Sequence, residues 1–184
     1  MSRLGVLSEH DLSDEQRRLR DAMTRGPRGK SAASGGPFDV WLHSPAFGEQ
    51  VQRFGAHMRY ANALGPRISE FAILICARHW NADYEWFVHA PIATQAGVPA
   101  DAIEDLRVGR DVQLSEDTDR AVYGFCRELL GQRRVCDATY AIAEGRLGKS
   151  ALVELVGLLG YYSLVAMTLI AFEVLPPSAA KQLE

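Results

Sequence analysis

Cysteine is scarce in this chain and poorly placed for chemistry. Cys76, Cys126 and Cys136 are the only three in 184 residues. No C-x-x-C pair exists to bind zinc or cycle a disulfide, and an odd, sparse set fits a reducing compartment. Charge of one sign is lacking too: 20 Lys and Arg stand against 23 Asp and Glu, a net charge of -3. That field is too weak to recruit nucleic acid or an anionic lipid surface. The opening "MSRLGVLSEHDLSDEQRRLRDAM" has no apolar run behind its early arginine, so neither a secretory signal nor an organelle presequence is expected. A cytoplasmic protein without nucleic-acid or membrane partners is the expectation.

Motifs for several common chemistries are missing as well. There is no G-x-S-x-G elbow and no His-Glu-x-x-His pair. Gly29-Lys30-Ser31 and Gly148-Lys149-Ser150 look like the end of a phosphate-binding loop, but Thr24 and Ala143 stand where such a loop needs its first glycine. Alternating strand patterns are absent, and helix signals take their place. Ser13 caps a helix over residues 11–26, and Ser44-Pro45 opens a second that carries Phe47, Val51, Phe54 and Met58 at helical spacing. "ISEFAILICARHW" and "ADYEWFVHAPIATQAG" read as two more, followed by a turn near residues 102–108 and helices behind Ser115, Asp137 and Ser150. The expected architecture is all-α, a multihelical bundle of roughly seven or eight helices. Residues 1–37 form an N-terminal helix and a Gly/Pro/Ser-rich loop, and residues 38–184 form the helical domain.

From Leu155 to Phe172 there is no charged residue. Such a run approaches the roughly 20 apolar residues of a membrane span. Tyr161, Tyr162, Ser163 and Thr168 fall in its middle rather than at interfaces, which favours a core helix or an oligomer axis. Self-association through apolar faces is therefore expected.

The polar cluster that needs explaining lies in "NADYEWFVHAPIA". Glu85 and His89 are four residues apart and share one helical face. Tyr84 and Trp86 flank Glu85, and Glu70 belongs to the preceding helix. In an apolar setting a carboxylate and an imidazole make an acid/base pair with tunable proton affinity; the plainer reading is an ion pair at a core edge. Pro91 is expected to kink the helix beside His89 or to mark a fresh start. Glu-x-x-x-His is not the Glu-x-x-His spacing of di-iron bundles, so no metal is expected.

The segment "RISEFAILICARHWNADYEWFVHAPIATQAGVPADAIEDL" resembles the core of the carboxymuconolactone decarboxylase family, which includes the alkylhydroperoxidase D branch. "VELVGLLGYYSLVAMTLIAFEV" resembles the closing helix of its longer members, and the likeness extends over residues 38–176. It implies an alkylhydroperoxidase D-like fold, assembly as trimers or hexamers, and no cofactor. In the peroxidase branch a C-x-x-C pair precedes the His by four residues, and a relay Glu lies further upstream. Glu70 and His89 match that pattern here, whereas Ala82 and Glu85 occupy the thiol positions. The decarboxylase branch lacks the thiols and acts on a lactone bearing carboxylates, so the resemblance implies a lyase, with decarboxylation or isomerisation of a small carboxylated substrate. Glu85 and His89 would move the proton, Glu70 would orient them, and Tyr84, Arg67 and Trp86 would line the substrate site. Peroxidase-like antioxidant activity and a non-catalytic helical oligomer are the alternatives.

Overall fold

A computed structural model describes residues 2–27, 29, 35–178, 180 and 182–184. Among them are eight α-helices and no strand: α1 (Asp14–Arg25), α2 (Gly36–Trp41), α3 (Pro45–Tyr60), α4 (Pro66–Trp80), α5 (Asp83–Gln95), α6 (Ala100–Val108), α7 (Asp117–Arg127) and α8 (Asp137–Ala171). A 3₁₀ turn at Glu9–Asp11 precedes α1, and a π-helical turn at Glu128–Gln132 prolongs α7. Much of the loop expected before Phe38 lies outside the described residues, but its end, from Gly36, winds into α2.

The middle of the bundle is α4. Every residue from Ile68 to Ala77 is buried, because α5, α7 and α8 all pack against it. A helix covered on all sides can be apolar all round, and "AILICA" is. Its start is set by Gly65, whose φ of 77° and ψ of 162° suit glycine. Ser13 and Gln16 form a reciprocal capping box on α1; Leu19 and Met23 then join Leu12 and Leu42 in a small satellite core.

By length and composition α8 is apolar enough to cross a membrane, yet half of its most apolar window is buried inside the bundle. Its backbone breaks at Gly148 (φ 78°, ψ 163°), where Ser150 was expected to open a separate helix. Leu155, Leu158, Leu159, Tyr162 and Val165 face the core. Val153, Val156, Met167 and Ile170 are exposed. Pro91 lies inside α5, and the helix continues past it to Gln95.

Candidate active site

The α4–α5 connection places the polar residues. Asn81 adopts a left-handed conformation (φ 51°), and the N–H of Ala82 donates to the carbonyl of Ala77. The chain thus reverses in two residues, so α5 runs back along α4 and brings His89 to the level of Glu70. The imidazole Nδ1 lies 2.7 Å from Oε2 of Glu70, and both side chains are 6% exposed. With Nδ1–H donating to the carboxylate, Nε2 is left as the basic atom. Burial lowers the proton affinity of His89, opposed by the hydrogen bond and charge of Glu70, with Arg59 adding to the lowering.

Glu85 behaves differently from the sequence expectation. It shares a helical face with His89, but the partner of His89 is Glu70, which approaches from α4 across the helix pair. Glu85 is 2% exposed, and its buried Oε2 has no hydrogen-bond partner. It sits in the first turn of α5, where the helix dipole favours a negative charge. Burial nonetheless wins and pushes its carboxyl well above the usual carboxylate range.

Glu85 and His89 line a cavity of about 310 Å³ together with Phe38, Arg59, Tyr84, Tyr161, Tyr162 and apolar side chains. The ring of Tyr162 meets His89 edge-on, with centroids 5.1 Å apart, and burial raises the Tyr162 phenol so that it keeps its proton. Tyr161 crosses Tyr162 at 5.2 Å. Arg59 is a half-buried cation on this wall and has no carboxylate partner among the described residues. A guanidinium there can hold an anion against an otherwise apolar wall.

Of the expected site residues, Glu85, His89 and Tyr84 line this cavity, and Glu70 stands behind His89. Arg67 and Trp86 are elsewhere. Arg67 gives two hydrogen bonds, of 2.7 and 2.6 Å, to Asp119 of α7; the Asp119 side chain is 3% exposed. This buried carboxylate holds the guanidinium away from the cavity wall. Trp86 points into the hydrophobic core. The residues that the sequence reading missed are Arg59, Tyr161 and Tyr162. The two tyrosines left a trace, as adjacent hydroxyl-bearing rings in an apolar run. Arg59 left none, since one arginine near a helix end looks like any other.

The thiols offer a weaker reactive centre. Burial pushes the Cys76 thiol up to about 12, against its hydrogen bond with Ser163, which lowers it. Cys126 is raised by burial as well.

No family model and no curated protein matches the chain. Among solved structures, it is similar to a protein of unknown function from Agrobacterium tumefaciens, provisionally described as an antioxidant defence protein AhpD. The TM-score is 0.67 at 14% sequence identity, covering 75% of this chain and 95% of that one. The fold is alkylhydroperoxidase D-like. In this chain the α4–α5 hairpin of that fold sets the Glu70 carboxylate and the His89 imidazole facing each other.

Proposed function

We propose that the protein is an acid/base enzyme, a carboxymuconolactone decarboxylase-like lyase or isomerase acting on a small carboxylated substrate. The observation that carries this reading is a buried carboxyl group with an unpartnered oxygen, beside an imidazole already oriented by a second carboxylate, both side chains lining one cavity. His89, with Glu70 fixing its tautomer, takes a proton through Nε2. Glu85 delivers one to the carbon that loses carbon dioxide or to the far end of a shifting double bond. Arg59 holds the substrate carboxylate, and the phenol of Tyr162 donates to a developing oxyanion. A second copy of the chain covers the exposed stripe of α8 in a homo-oligomer, a trimer or a hexamer.

Glu85→Gln and His89→Asn keep size and polarity while removing the acid and the base. Each is expected to lower turnover of a responsive lactone or keto acid by about 10²- to 10⁴-fold, followed as carbon dioxide release or loss of substrate absorbance, with far-ultraviolet circular dichroism unchanged. Full turnover in both folded variants would sink the proposal. Peroxide reduction is the second reading, favoured by the description of the fold neighbour from Agrobacterium tumefaciens. It needs a thiolate, and burial works against one at Cys76 and Cys126. Peroxide consumption that stops when the cysteines are alkylated would establish it over the lyase.

A further inference from the structure

The cavity at Glu85 and His89 offers an anion one place to bind. Among the described residues Arg59 is the only lysine or arginine that lines it, and a guanidinium keeps its charge at any working pH. Arg59 is braced over the ring of Tyr60, 5.3 Å from the centroid. Arg67, the other cation expected at the substrate, is held by Asp119 at 2.7 and 2.6 Å. Phe38, Val88, Ile92, Val165 and Leu169 make most of the remaining wall. One carboxylate can therefore be paired inside. A second would sit in an apolar enclosure without a counter-ion, which is costly, and an ionised Glu85 would only add repulsion. The volume of about 310 Å³ matches the liquid share of about ten waters, so the acid has about ten non-hydrogen atoms.

A single cation also chooses between the two reactions open to an acid/base pair. In a decarboxylation the electron pair of the breaking C–C bond moves onto carbon, and the carboxylate leaves as neutral carbon dioxide. A guanidinium paired with that carboxylate holds the ground state more tightly than the transition state and slows the step. Removal of a proton from the carbon beside the carboxylate moves charge the other way, onto the carboxylate oxygens, and Arg59 then favours the transition state. Beneath the larger effect of burial, the charge of Arg59 lowers the proton affinity of both His89 and Tyr162, so the anchored end of a small acid lies near the base. We propose that the substrate is a small monocarboxylic acid with an apolar, β,γ-unsaturated body, and that the reaction is a 1,3-proton shift rather than loss of the carboxyl group. The inference rests on the acid/base reading and departs from the lactone bearing carboxylates that the resemblance implies. Nε2 of His89 takes a proton from C2, and Glu85 gives one to C4 as the double bond moves from C3–C4 to C2–C3. His89 then returns its proton to Glu85, so no co-reactant is consumed.

Calorimetric titration of the full chain compares trans-3-hexenoic and trans-3-octenoic acids with trans-3-hexenedioic acid, and proton NMR of the same mixtures follows the double bond. The monoacids are expected to bind about tenfold tighter than the diacid, the least that an unpaired buried carboxylate should cost, and to become 2-alkenoic acids. Arg59→Met should weaken their binding about 10- to 100-fold, the worth of a hydrogen bond to a charged group. Arg59→Lys, which keeps the charge, should retain the preference for monoacids. A diacid that binds as tightly as the monoacids, an alkene in place of the 2-alkenoic acid, or monoacids that bind and stay unchanged would overturn the inference. If His89→Asn stops whatever turnover of diacid or release of alkene is then seen, acid/base catalysis stands and only its substrate and direction fall. If no acid binds, or if His89→Asn reacts as the wild type does, both readings fall together.

Discussion

Glu85 carries the most information of any single residue. Burial raises its pKa and lowers that of His89, so the active form holds a protonated acid and a neutral base together. On the alkaline side, activity is expected to fall as Glu85 ionises, at a pH above the range of an ordinary carboxyl. On the acid side, it persists below the pH at which an exposed imidazole would take up a proton. The same shift has a consequence for stability. A carboxyl whose folded pKa is raised favours the native state most below its unfolded pKa, and that contribution is lost as pH rises through the folded value. Glu85→Gln removes the ionisation altogether. Its Tm relative to the wild type should therefore be near equality around pH 4 and should climb as pH is raised, even though the variant is inactive. A Tm difference that does not change with pH would mean that Glu85 is solvated rather than buried. Residue identity was legible in the sequence here, and the resemblance already implied that Glu70 orients Glu85 and His89; the direct bond between Glu70 and His89 alone was not. The spacing of four put Glu85 and His89 on one face, and only the tight reversal at Asn81 decides that Glu70 reaches the imidazole.

Two elements are held in place by features that the sequence displayed without showing their purpose. Gly148 was seen as part of a false phosphate-loop string; in the structure it is the break within α8, in a region of backbone space that is almost reserved for glycine. No atom lies within 4 Å of a Cβ built there, so Gly148→Ala tests backbone strain alone. We expect a loss of about 1 to 3 kcal/mol, read as a lower denaturant midpoint with an unchanged slope. Arg67 ties α4 to α7. Arg67→Ala leaves the buried Asp119 without its partner; because the guanidinium is itself 35% exposed, the cost is expected to fall below the range of about 3 to 5 kcal/mol for a fully buried pair. Were Arg67 a substrate ligand, the same change would raise KM and leave stability nearly untouched; a fall in the denaturant midpoint is the expected result. Helix positions were legible because capping residues and a 3.6-residue apolar period act locally. The short α2 was not, since it begins inside a Gly/Pro segment and is held by its packing against α3 and α8. Arg59 became recognisable only once α3, α5 and α8 were packed around one space.

At the scale of the whole molecule, α8 has two faces with different destinations. Tyr161, Tyr162 and Val165 line the cavity at Glu85 and His89, while Val153, Val156, Met167 and Ile170 stay 71%, 47%, 45% and 48% exposed. On a helix of 3.6 residues per turn these four positions, with Gly160 between them, fall on one stripe of about 100°. An added Cβ at Gly160 would meet nothing within 4 Å, so another helix can approach closely there. A contiguous apolar stripe of this kind marks an interaction surface in a protein that remains dissolved, and a second copy of the chain presents the matching stripe. The double substitution Val153→Arg and Val156→Arg places like charges across such a contact and leaves the buried face untouched. Sedimentation equilibrium should then report the mass of one chain where the wild type is expected to give a trimer or a hexamer. Because the stripe and the cavity lie on opposite sides of one helix, dissociation should also loosen Tyr161 and Tyr162. Activity would then fall in step with mass as the protein is diluted. A wild type that sediments as a single chain and is fully active would show instead that one copy of this bundle holds its own site.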